Sequence, residues 1–88
     1  MSHTSEIDNL LVDVGRLLAP LRTAGHTVGF TLSYYEGFRD IGDKQHAMWW
    51  HAELTKNKDG VSATERTPQE AIRMALGLAR EYVNRFGP

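Results

Sequence analysis

From Ser5 to Ala24 the apolar residues Ile7, Leu10, Leu11, Val14, Leu17, Leu18 and Leu21 recur at three- and four-residue spacing, the period of an amphipathic helix. Thr4 or Ser5 is placed to cap its start, Glu6 and Asp8 complement its dipole, and Gly25 is suited to end it in a left-handed conformation. Pro20 removes the amide that would bond the Arg16 carbonyl, so the helix either kinks there or stops near Leu18 and continues as a separate turn.

From His26 to Glu36 the period falls to two. Val28, Phe30, Leu32 and Tyr34 take one side of a strand, and Thr27, Gly29, Thr31, Ser33 and Tyr35 take the other. Gly37 to Lys44, with two glycines and two aspartates, predicts a long hairpin connection from which Phe38 and Ile41 fold back onto the core. A second strand follows from Gln45 to Thr55, with Met48, Trp50, Ala52 and Leu54 inward and Ala47, Trp49, His51 and Glu53 outward. Lys56 to Gly60 is a polar turn ending in Asp-Gly, which joins this strand in a hairpin to a short third one, Val61 to Arg66. Thr67-Pro68-Gln69-Glu70 then combines a Thr cap, a first-turn proline and a Glu three residues after the cap, which together start a second helix. Its stripe is Ala71, Ile72, Ala75, Leu76, Leu78, Ala79, Tyr82, Val83 and Phe86.

The expected architecture is α+β in the order α-β-β-β-α: a three-stranded antiparallel sheet with two helices packed on one face, which buries both stripes together. A length of 88 residues suits a single domain spanning 1–88, with residues 1–4 as a frayed N-terminus. Hydrophobic residues at 41% and charged residues at 24% match a folded globular chain. No apolar run approaches the roughly 20 residues of a membrane span, and the N-terminus lacks a signal-peptide pattern, so a cytoplasmic location is expected. The absence of cysteine removes disulfides, thiolate nucleophiles and thiolate metal sites.

Candidate chemistry is sparse. His3, His26, His46 and His51 invite a metal reading, but His46 and His51 are five apart on one strand and so point to opposite faces. Ser33 with His51 is a hydroxyl and an imidazole on one sheet face, without a Gly-x-Ser-x-Gly elbow. Asp40 and Asp43 fall in the expected loop and Glu36 and Glu53 at strand ends, where burial does not shift carboxyl pKa values. No catalytic, metal or cofactor residue is assigned, and the chain is not read as an enzyme.

The helix, three strands, helix order is also that of double-stranded-RNA-binding domains, which present a lysine-rich run at the start of the second helix. Here that position is Thr67-Pro68-Gln69-Glu70 and the net charge is −1, so nucleic-acid binding stands as the alternative function. It would use Lys56, Lys58 and Arg66 around the second hairpin and Arg73 on the second helix.

The sheet face opposite the helices carries more information. Thr31, Ser33 and Tyr35 with Trp49 and His51 form a patch of aromatic and small polar groups, the composition of an interface core. Either a partner covers it, or the 37–44 loop or the chain's own N-terminus covers Trp49.

Trp50-His51-Ala52-Glu53-Leu54, the Asp59-Gly60 turn, and Thr67-Pro68-Gln69-Glu70-Ala71-Ile72-Arg73-Met74-Ala75-Leu76 resemble small phage and prophage proteins described as ABA-sandwich domains. The resemblance covers roughly residues 48–83. It implies a viral or mobile-element origin, a host-cell cytoplasmic location and a small accessory role that binds a host protein, and it supplies no catalytic residues to carry over. The functional expectation is therefore a non-catalytic interaction domain, a homodimer or a binder of a host protein, self-associating through the exposed sheet face. A phage-encoded inhibitor of a host defence complex would be one instance.

Overall fold

The computed structural model describes residues 5–82. They run as α1 (Glu6–Thr23), β1 (Val28–Ile41), β2 (Lys44–Lys56), β3 (Asp59–Glu65) and α2 (Pro68–Glu81). The sheet is antiparallel in the order β1-β2-β3, with both helices on one face, as their two apolar stripes require. The expected fraying of residues 1–4 and the Val83 and Phe86 end of the second stripe lie outside the described residues.

Local chemistry sets the helix ends. Ser5, not Thr4, caps α1, its hydroxyl accepting from the Asp8 N–H at 3.1 Å. Pro20 neither stops the helix at Leu18 nor starts a new one: α1 runs through it to Thr23, and the Ala24 N–H donates to the Pro20 carbonyl. Gly25 then takes a φ of +96°, which a side chain would resist. At α2 the Thr67 hydroxyl accepts from the Glu70 N–H at 3.1 Å and donates to the Glu70 carboxylate at 3.3 Å.

The largest departure from expectation is the segment 37–44, which is not a loop. β1 continues to Ile41 and β2 begins at Lys44, leaving Gly42 and Asp43 as a two-residue turn. Gly42 has a φ of +67°, the left-handed first position that suits such a turn to glycine. The glycine at 37 serves a β-bulge instead, since the pairing shifts between Glu36↔Met48 and Arg39↔His46, setting Gly37 and Phe38 against Ala47 alone. Phe38 therefore does not fold back onto the core; it is 78% exposed, while Ile41 is half-buried. Met48, expected inward, is also exposed, because it lies beyond the helices' cover.

β3 pairs only with residues 50–56 of β2. Residues 35–49 therefore project as a two-stranded ribbon beyond the three-stranded body. The turn before β3 is also tighter than expected. Asp59 already pairs with Lys56, and Asn57, not Gly60, supplies the left-handed backbone with a φ of +56°. Asn57 binds the linker ahead of β1 as well: its N–H donates to the Thr27 carbonyl at 2.6 Å, its Oδ1 accepts from the Thr27 N–H at 3.0 Å, and its Nδ2 lies 3.0 Å from His26 Nδ1.

The core joins Leu10, Val14, Leu18 and Leu21 of α1, Ala52, Leu54 and Val61 of the sheet, and Ala71, Ile72, Ala75, Leu76 and Ala79 of α2. The three alanines let α2 lie close against the sheet. Leu21, Leu54, Ile72 and Leu76 are almost fully enclosed, each contributing about 1.5–3 kcal/mol through burial. No polar side chain is buried among the described residues, so this interior stabilises the fold without specialising it.

Candidate functional site

Alternation along β2 puts Trp49 and His51 on the face away from the helices. The register sets Tyr35 opposite Trp49, Ser33 opposite His51 and Thr31 opposite Glu53. All five expected face residues, Thr31, Ser33, Tyr35, Trp49 and His51, thus share one surface. The rings of Tyr35 and Trp49 stack with centroids 4.3 Å apart and planes 15° from parallel.

Two further residues complete the patch. The Arg39 guanidinium carbon lies 4.7 Å from the Trp49 ring centroid, a cation–π contact. His51 Nδ1 lies 3.0 Å from the Thr64 hydroxyl, so its partner is on β3 rather than Ser33, which stands opposite it on β1. With Tyr35 these residues border a shallow cleft of about 250 Å³. Parity along β3 places Thr64 on this face, and Arg39 joins it because residues 37–44 form a bulged strand and a two-residue turn rather than the expected loop. Trp49 is accordingly half-buried, with Tyr35 and Arg39 of its own hairpin packed on its ring.

The ribbon adds apolar surface that no helix covers among the described residues. On the helix side Tyr34 packs against Trp50 with centroids 4.9 Å apart, and its hydroxyl donates to Glu36 Oε1 at 3.2 Å. Partial removal from water, then the Glu36 charge and this hydrogen bond, hold the Tyr34 phenol above its ordinary value of 10. Tyr34 and Tyr35 are each 43% exposed and Met48 58%. Near the ribbon tip a second cleft, about 390 Å³, is bordered by Ile41, Asp43, Lys44, His46, Glu65, Arg66 and Glu70, with three carboxylates against two cations.

His46 and His51 border different clefts on opposite faces, and no cluster of three or more metal-ligating side chains exists among the described residues.

The basic residues do not converge. Lys58 and Arg66 flank opposite ends of β3, whose seven residues span roughly 20 Å. Arg66 pairs with Glu70 at 3.1 Å, and Arg73 pairs with Glu6 of α1. Lys56 ends β2 beside the turn that holds Lys58.

No protein-family profile, curated protein or solved structure matches this chain.

Proposed function

We propose that this chain is a non-catalytic protein-interaction domain that docks a partner on its outward sheet face, with the Tyr35–Trp49–Arg39 stack at the centre. The observation that carries it is that stack: two rings and a guanidinium, pre-ordered by cross-strand pairing, on a surface without a covering layer among the described residues. Trp, Tyr and Arg are the side chains most enriched at energetic centres of interfaces, and ordering them beforehand lowers the entropy lost on docking. In keeping with the ABA-sandwich resemblance, the partner is a host protein and the domain a small phage or prophage accessory, of which an inhibitor of a host defence complex is one form.

Self-association through this same face is the less favoured version. The stack lies in the ribbon, and the three-stranded body behind it adds a face of only roughly 330 Å², three strands at about 4.8 Å by seven residues at about 3.3 Å. A standard interface uses about 800 Å² per partner. A heterologous partner that also grips the ribbon, with its exposed Phe38 and Met48, has more to hold.

The test is affinity capture from a bacterial host lysate with the wild type and a Tyr35→Ser/Trp49→Ser variant, both shown by circular dichroism to be folded. The expected outcome is a protein retained by the wild type and lost from the variant. Identical retention by both would reject the outward face as the docking site.

A further inference from the structure

Among the described residues nothing neutralises the charge of Arg39. Its guanidinium carbon lies 4.7 Å from the Trp49 ring centroid, and it forms no ion pair or hydrogen bond there. Arg16, Arg66 and Arg73, by contrast, each pair with a carboxylate. A guanidinium over a ring is held by its charge, which leaves its in-plane N–H donors for another group.

The cleft beside it suits one acidic group. Its border of Tyr35, Arg39, Trp49, His51 and Thr64 contains no carboxylate, whereas carboxylates outnumber cations around the cleft near the ribbon tip. His51 adds a second donor. Its Nδ1 lies 3.0 Å from the Thr64 hydroxyl, which fixes the ring. When that hydroxyl donates, Nε2 carries the proton, and Nε2 has no partner among the described residues. Trp49, His51 and Thr64 are half-buried, so an anion held between them and Arg39 loses part of its water, and its charge-assisted hydrogen bonds gain strength. At about 250 Å³ the cleft falls below the roughly 300–1,000 Å³ of small-molecule sites. It has room for one side chain.

Charges on either side restrict the ligand to a single acidic group. Glu53 lies two residues beyond His51 on the same face of β2, roughly 7 Å away. Toward the ribbon tip Asp40 follows Arg39 in the chain, exposed and opposite Gln45, without pairing with it. A run of acidic residues laid along this face would meet one of these carboxylates. So would a phosphate backbone, and tracking a nucleic acid takes a row of cations rather than one.

We infer that the outward face recognises its protein partner through one Asp or Glu side chain, whose carboxylate accepts from the Arg39 guanidinium and from His51 Nε2–H beside the Tyr35–Trp49 stack. This contact rests on the docking proposal above and names the group that the face grips.

A random dodecapeptide library displayed on yeast and selected on the full chain tests it. Peptides bound by the wild type and lost with Tyr35→Ser/Trp49→Ser are the face binders. They are expected to share one Asp or Glu, and to weaken at least about tenfold when that residue becomes Asn or Gln. Against Arg39→Gln, an exchange at an exposed ribbon position that leaves the core intact, the loss should be similar. Making both changes should cost little more than either alone, the mark of a direct contact. Face binders without a shared acidic residue, or indifferent to Arg39→Gln, would overturn the inference and leave the docking face standing. Tryptophan fluorescence saturated by micromolar inorganic phosphate would also overturn it, by making the cleft a phosphate site. A library yielding no peptide lost with Tyr35→Ser/Trp49→Ser would reject both the acidic contact and the docking face.

Discussion

Tyr34 shows how position alone changes the chemistry of a side chain. Parity assigns it to the helix side of the sheet with Leu32 and Phe30, yet it lies where the ribbon leaves the helices behind, and its hydroxyl finds the Glu36 carboxylate. The folded protein therefore holds this phenol protonated to higher pH than the unfolded chain does. The sign follows from linkage: the contribution is fully present below the unfolded value near 10 and is lost as pH rises through the folded value. In a spectrophotometric alkaline titration Tyr34, identified by the Tyr34→Phe difference, is expected to ionise late. Glu36→Gln should bring it back toward the ordinary value by removing the charge, while leaving the partial burial against Trp50. A Tyr34 titration unmoved by Glu36→Gln would show that burial alone sets it.

At the scale of elements, turns decide how much strand the chain has. Sequence composition located both hairpins but misjudged their size, because glycine and aspartate mark a bulge or a two-residue turn as readily as a loop. Gly37 serves the bulge and Gly42 the turn, and only cross-strand pairing distinguishes those uses from a flexible connection. In the second hairpin Asn57 takes the left-handed position and reaches the His26–Thr27 linker, holding two non-adjacent segments together. Asn57→Ala is expected to cost about 2 kcal/mol, from left-handed strain together with the lost side-chain bonds. Asn57→Gly keeps the backbone conformation and should cost about 1 kcal/mol or less. Denaturant unfolding of both variants measures the difference, and equal costs would mean that backbone strain contributes nothing.

At the scale of the molecule, one dry core supports two unequal surfaces: a helix layer, and a sheet face continued by the ribbon. Ile72, fully buried between the layers, is the point on which both helices and the sheet depend. Ile72→Ala is expected to destabilise by about 2–5 kcal/mol, a large share of the roughly 5–15 kcal/mol available to a small domain, and chemical denaturation will show whether it does. Hydrophobic period and capping chemistry were enough to establish the helices, the strand order, the side of each strand that faces inward and the grouping of Thr31, Ser33, Tyr35, Trp49 and His51. These are local properties, set by backbone geometry within a few residues. What the tertiary structure alone decided is which residues outrun the core. Phe38 and Met48 are as apolar as Leu54, and they are exposed because β3 and the helices end before the ribbon does. Likewise Met74 is apolar yet half-exposed, because the face of α2 that meets the rest of the fold runs through Ala71, Ile72, Ala75, Leu76 and Ala79. Burial is a property of neighbours, and neighbours distant in sequence leave no period in the chain by which to count them.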